Sequence, residues 1–222
     1  MSARRMAVPA PWLATLRLEM RDFTADDSDD LFRLNSGPRV MRFIGDGKPA
    51  GAARHAEIMR RVLRYPRLYP GLGFWYTTRR DTGAFVGWFT LKYCGKSADV
   101  ETGYMLLPEA WGQGYATEGA RAMVRYGFDD LGLDRIIGVT HPENFASQRV
   151  LQKAGLADAG CGFYYERQLR LFAARRATPI DSTRRSSSVT NSCSPFLIGK
   201  STQMFQPSIG KLSGAGFPSP NS

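Results

Sequence analysis

Apolar and polar residues alternate over residues 16–22, the period-two pattern of a strand with one buried face. Thr24 follows in a helix N-cap position, and Asp26 and Asp27 would complement the dipole of a helix running to about Leu34. A second amphipathic helix is predicted over residues 49–65. Residues 74–78 and 85–91 read as two strands, joined by a turn containing Asp81 and Gly83. The mostly apolar run 99–107 is a fourth strand. Beyond it Ala116, Ala120, Met123, Val124, Gly127, Phe128 and Leu131 recur at helical spacing. A short fifth strand over 135–141 leads to a helix over 142–155 that ends at a glycine C-cap, and residues 163–165 and 168–172 supply the last strands. Strands that first pair as neighbours and then alternate with helices predict an α/β chain with a mixed sheet of about seven strands and about four helices.

This pattern ends near residue 177. From Thr178 onward 20 of 45 residues are Ser, Gly or Pro, and no period of 2 or 3.6 survives, so residues 178–222 are expected to form a disordered tail. Residues 1–14 read as an N-terminal arm and residues 15–177 as one domain. A total of 222 residues, 43% of them hydrophobic, is ample for one core. The Pro-interrupted start around Val8–Trp12 does not read as a signal peptide, and no apolar run reaches membrane-span length, so a cytoplasmic location is expected. Cys94, Cys161 and Cys193 are too scattered for a disulfide framework or a metal site, and no metal is expected. The formal charge is +10, and basic residues concentrate in two stretches, residues 39–67 and residues 175–222. Neither stretch carries a nucleic-acid-binding motif, and solvated helix faces account for both.

The most informative stretch is residues 108–119, where Gly112 and Gly114 fall between the fourth strand and the following helix. Glycines let a backbone approach an anion closely, and the unpaired amides at a helix start point toward it, so a phosphate is the expected guest. A Gly-x-Gly turn alone is also found as a mere tight connection. Three pieces together are more specific: Glu101-Thr-Gly-Tyr104, Trp111-Gly-Gln-Gly-Tyr-Ala-Thr-Glu118, and Asn144-Phe-Ala-Ser147 followed by Leu151–Gly155.

On these pieces, residues 98–156 resemble the GNAT N-acetyltransferase superfamily, and within it the RimJ/RimL-type branch. The loop departs from the general pattern at Trp111, where many relatives carry Gln or Arg. The resemblance implies an acyl-CoA N-acyltransferase fold and an enzyme that moves acetyl from acetyl-CoA to a primary amine, either a protein N-terminus or a small molecule. It implies that the pantetheine arm lies along Met105, Leu106 and Leu107 like an added strand, with an oxyanion held by an amide near Met105. The pyrophosphate would sit on the amides of Trp111, Gly112, Gln113, Gly114, Tyr115, Ala116 and Thr117, and Asn144 would bond the arm. The catalytic candidates are Glu101 as general base and Ser147 near the thioester sulfur.

Each assignment has a plainer counterpart. Glu101 could be a solvent-facing strand carboxylate, and Ser147 a helix serine bonding locally. His141 could be a second base or an idle loop residue. The cluster Asp22, Asp26, Asp27, Asp29 and Asp30 could draw in a cationic amine or complement a helix dipole. Two other functions fit the same chain: a non-catalytic acyl-CoA-binding module, and a basic nucleic-acid-binding protein. A monomer or a homodimer is expected.

Overall fold

The computed structural model describes residues 12–95 and 97–176. The proposed tail at 178–222 therefore lies outside the described residues. Eight strands form one sheet in the order β1-β2-β3-β4-β5-β6-β8-β7: β1 Leu13–Ala14, β2 Leu18–Asp22, β3 Gly73–Arg79, β4 Phe85–Tyr93, β5 Val100–Leu106, β6 Arg135–Thr140, β7 Ala157–Tyr164 and β8 Arg167–Arg175. Every neighbouring pair is antiparallel except β5 with β6. Five α-helices accompany them: α1 Ser28–Ser36, α2 Pro38–Met41, α3 Ala52–Leu68, α4 Tyr115–Asp129 and α5 Phe145–Lys153.

Strand alternation sends apolar side chains to both faces of the sheet. Phe74, Tyr76, Met105 and Leu107 join Leu31 and Leu34 of α1, Met41 of α2 and Met59 and Val62 of α3 in one cluster. Trp75, Val100 and Leu106 join Met123 and Val124 of α4 and Leu151 of α5 in the other. One face thus carries α1–α3 and the opposite face α4 and α5. Gly119 allows α4 to lie close on the sheet, since a Cβ there would fall 2.1 Å from the Phe89 ring.

The differences from the sequence reading are mostly short or edge elements. Among the described residues the mixed α/β sheet is as expected, with eight strands against about seven because Leu13–Ala14 adds a two-residue strand against Met20 and Glu19, and five α-helices against about four because Pro38–Met41 closes a single turn. Neither is long enough to show a period. The first strand begins at Leu18, since Leu16 lies exposed in the preceding turn. Thr24 opens a 3-10 turn, Ala25–Asp27, with a reciprocal capping box to Asp27 before α1 begins. The helix predicted to stop at residue 65 continues to Leu68, with Pro66 tolerated in its last turn. The strand predicted at 163–165 occupies Ala157–Tyr164, and its nearly fully exposed pattern explains why alternation did not reveal it.

Candidate functional site

The loop that opens α4 is built to leave its backbone donors free. Gly112 and Gly114 take φ values of 74° and 83°, which a side-chain-bearing residue adopts only with strain. Gly114 is the N-cap of α4 and offers no side chain to the helix. The first amide with a helical partner is that of Glu118, which donates to the Gly114 carbonyl at 3.1 Å. The N–H groups of Tyr115, Ala116 and Thr117 are therefore the orphan donors of a helix start, at its positive end.

The side chains around them brace the loop. Trp111 donates its indole N–H to the Leu106 carbonyl at 2.8 Å, and the Arg39 guanidinium lies 5.0 Å over its ring. The Gln113 amide donates to the Glu109 carbonyl at 2.6 Å. Tyr115 is buried in the core. Glu118 accepts from the Thr15 hydroxyl at 2.6 Å, the Arg17 amide at 2.8 Å and the Arg17 Nε at 2.7 Å, while Arg17 Nη1 donates to the Gln113 carbonyl at 2.9 Å. Burial pulls the Glu118 carboxyl upward, but the Thr15 hydroxyl and the Arg17 amide and guanidinium outweigh it and leave it below the usual glutamate range. Beside Gly114 and Thr117 runs a groove of about 720 Å³ lined by Arg17, Arg121, Arg125 and Lys153. Arg17 has a carboxylate partner in Glu118; the other three cations have no salt bridge among the described residues.

The sheet opens next to this loop. β4 and β5 stay paired over seven positions, from Tyr93↔Val100 to Gly87↔Leu106. β5 and β6 pair at only two, Val100↔Ile136 and Glu101↔Ile137, and then part. Leu107 donates its amide to the Val86 carbonyl at 2.9 Å. Antiparallel alternation then directs the backbone groups of Met105 and Gly103 toward β4 as well, and those of Thr102, Tyr104 and Leu106 toward the gap. Of the three positions 105–107, Leu106 is the one whose N–H faces the opening, and its carbonyl already holds Trp111. At the start of the gap the buried Thr102 hydroxyl has no hydrogen-bond partner.

The candidate catalytic side chains lie on opposite faces of β5. Glu101, 8% exposed, shares the face of Met105 and α1–α3. Lys92, directly across on β4, donates to its Oε2 at 2.7 Å, and the Tyr165 hydroxyl donates to the same oxygen. Tyr165 sits in the β7–β8 turn at φ 50°. Burial and the Glu101 charge push its phenol far above the usual tyrosine range, so it stays a donor. The neighbouring Cys94 thiol is raised to about 11 by burial and by the Glu101 charge.

Tyr104 projects to the other face, packed with the α4–α5 cluster and 5.9 Å from the Phe89 ring. Burial raises its phenol, and the adjoining Ser147 hydroxyl works against that rise. Asn144 caps α5, its Oδ1 accepting the Ser147 amide at 3.1 Å, which leaves its Nδ2 donor unused by the cap. His141 lies 5.1 Å from the Phe43 ring, so the segment after α2 meets the end of β6 across the cleft mouth. The acidic cluster is divided. Asp27 is bound by Arg21 through two 2.7 Å bonds and Asp30 accepts from Tyr76 at 2.7 Å, whereas Asp26 and Asp29 are exposed.

Lys92, Tyr165, Thr102 and Arg17 went unnoticed in the sequence. Only Lys92 had a usable signal, a cationic position on the strand paired with that of Glu101, and it required the register.

A mixed sheet parted between two parallel strands, with free helix-start amides at the parting, forms a cleft suited to an extended ligand with an anionic end. The chain belongs to the acetyltransferase (GNAT) family, whose model matches residues 17–157. It is 34% identical over 160 residues to FsC-acetyl coenzyme A-N(2)-transacetylase of Aspergillus fumigatus, covering 68% of this chain and 64% of that protein. It is 31% identical over 173 residues to the uncharacterized N-acetyltransferase YoaA of Bacillus subtilis, covering 78% of this chain and 93% of the relative. An acetyltransferase from Agrobacterium tumefaciens shares the fold with a TM-score of 0.66 at 21% identity, over 79% of this chain and all of that one. No helix among the described residues is long and apolar enough to cross a membrane.

Proposed function

We propose that this GNAT acetyltransferase moves the acetyl group of acetyl-CoA to a primary amine by direct attack, with Glu101 as general base. The observation that carries the reading is the parting of β5 and β6 after Glu101↔Ile137, because it opens a passage between the two faces of the sheet beside the anion cradle. The cradle fits the pyrophosphate: two glycines without Cβ atoms flank it and three amides have no helical partner. Acetyl-CoA supplies the acetyl thioester. The amides of Tyr115, Ala116 and Thr117 hold the pyrophosphate, and Arg121, Arg125 and Lys153 give its nucleotide end a cationic groove. The Leu106 amide and the free Asn144 Nδ2 orient the arm in the gap. The Aspergillus relative, an FsC-acetyl coenzyme A-N(2)-transacetylase, supports acetyl-CoA as donor and nitrogen as acceptor.

At neutral pH an aliphatic amine is mostly protonated and cannot attack until it loses that proton. Glu101, on the α1–α3 face, accepts it directly or through one water. Ser147 and Tyr104 stand on the α4–α5 face, where a thiolate leaving away from the attacking amine would emerge, and they orient a proton toward it. The amide of Tyr104 also faces the gap and can bond the developing oxyanion. Release of thiol from acetyl-CoA across a panel of peptide N-termini, polyamines, aminoglycosides and amino acids tests the proposal. Thiol release dependent on both amine and enzyme supports it. Tight coenzyme A binding with no turnover on any amine would instead make the protein a binding module.

A further inference from the structure

We infer that the arginine face of α3 docks an acidic polypeptide that carries the acceptor amine to Glu101. The inference rests on the transferase reading above and narrows its acceptor class. α3 buries Met59 and Val62 against the cluster that holds Met105, so it covers the same face of the sheet as Glu101. Its outer side presents Arg60, Arg61, Arg64 and Arg67, all exposed and without a salt bridge among the described residues. These arginines, with Leu63 and Leu68, form one exposed patch along α3 in which Glu57 is the one carboxylate. Of the acidic cluster at residues 22–30, the exposed members without a salt bridge, Asp22, Asp26 and Asp29, lie just before and at the start of α1. That start is tied to the opposite end of α3, where Ser28 Oγ lies 3.0 Å from His55 Nε2.

Named contacts connect the arginine face to the reaction site. The Tyr65 hydroxyl accepts the Tyr93 amide at 2.8 Å, and Tyr69 meets the Tyr93 ring edge-on at 5.2 Å. Tyr93 follows Lys92, whose ammonium holds Glu101. Leu68, Tyr69, Tyr93 and Tyr165 are 53, 40, 39 and 46% exposed and form a rim between the arginines and the carboxylate. Tyrosine and arginine together are the composition of a protein-binding surface.

Size and geometry select the partner. Arg60 to Arg67 spans about 10 Å of helix, longer than one small carboxylate but matched to a run of acidic side chains, each able to meet a guanidinium through two bonds. A single-stranded nucleic acid would also seek free aromatic planes on which its bases could stack. Tyr65, Tyr69 and Tyr93 instead pack against one another at 44° and 75°.

The test compares peptides with one common free N-terminal tripeptide followed by an alternating Asp-Glu run, a Gly-Ser run or a Lys run. It uses wild type and a variant carrying Arg60→Gln, Arg64→Gln and Arg67→Gln. The expected result is a KM about tenfold lower for the acidic peptide than for the Gly-Ser peptide, the sum of several exposed pairs of ordinary strength. That advantage shrinks as salt rises and disappears in the triple variant, whose coenzyme A affinity is unchanged. Equal KM values for the three peptides, or an advantage that survives in the triple variant, would overturn the inference. So would a labelled single-stranded oligonucleotide that binds the same arginines more tightly than the acidic peptide does. If no peptide is acetylated, thiol release with the small amines decides whether the transferase reading stands, and fluorescence anisotropy of the labelled acidic peptide decides docking: binding that the triple variant loses upholds it, and no binding overturns it.

Discussion

Glu101→Gln separates what the carboxylate does for the reaction from what it does for the fold. Glutamine keeps the shape and can still accept from Lys92 and Tyr165, but it cannot take a proton from an amine at neutral pH. A general base ordinarily contributes 10²–10⁴-fold, so turnover is expected to fall by about that factor while coenzyme A affinity persists. The same change leaves the Lys92 ammonium without its counter-charge in a setting where the side chains are 19% and 10% exposed. Breaking a fully buried pair costs about 3–5 kcal/mol, and the residual exposure here lowers that to about 1–3 kcal/mol. For a domain of this size the melting temperature should drop by roughly 3–10 °C. Adding Lys92→Met to Glu101→Gln removes the orphaned cation, so stability should return toward wild type while turnover stays low. The measurements are thiol release against pH, calorimetric coenzyme A affinity and thermal unfolding of the three proteins. Raising the pH should restore part of the lost rate in Glu101→Gln, because more of the amine then arrives neutral. If the double variant regained turnover together with stability, the carboxylate would be a structural partner of Lys92 and the base would lie elsewhere, with His141 the next candidate.

Gly114→Glu places a side chain at φ 83° and a negative charge among the free amides, so coenzyme A binding measured by calorimetry should vanish; unchanged affinity in a folded variant would remove the loop from the site. Arg125→Gln with Lys153→Gln should weaken acetyl-CoA about tenfold yet leave 3′-dephospho-acetyl-CoA unchanged, and equal losses for both ligands would place the 3′-phosphate outside the groove. Burial alone would raise Asp27, but the Arg21 and Thr24 bonds outweigh it and hold its carboxyl below the ordinary 3.8. Its stabilising contribution is thus complete above about pH 4 and is lost as pH falls through the depressed value. Acid unfolding of Asp27→Asn should accordingly show a flatter pH dependence than wild type below pH 4, and parallel curves would show that the Arg21–Asp27 pair contributes nothing net.

Local signals made much of the site legible in the sequence. The glycines of the loop, the 3.6 period of α4 and the N-cap at Asn144 each act within a few residues, and the structure has helices α4 and α5 where they point. What stayed hidden depends on contacts across the chain. Arg17 reaches Glu118 from 101 positions away and Tyr165 reaches Glu101 from 64, and neither residue type announces such a partner. Register decided the rest: whether Glu101 meets Lys92 or open solvent turns on which β4 residue lies opposite, and β-strand periodicity is silent on that.

Tyr104 and Met105 are neighbours on β5 and point to opposite sides, Tyr104 packing with α4 and α5 while Met105 packs with α1–α3. In a continuous sheet that would divide the site in two. Because β5 leaves β6 after Glu101, the gap passes through the sheet, and residues of both faces can border one reaction path. A proton acceptor on one face and a hydroxyl pair on the other is then the arrangement an attack from one side and a departure to the other requires. The two-residue length of the β5–β6 pairing, which no local pattern encodes, is what the proposed transfer needs if Glu101 and Ser147 are to act on one reaction.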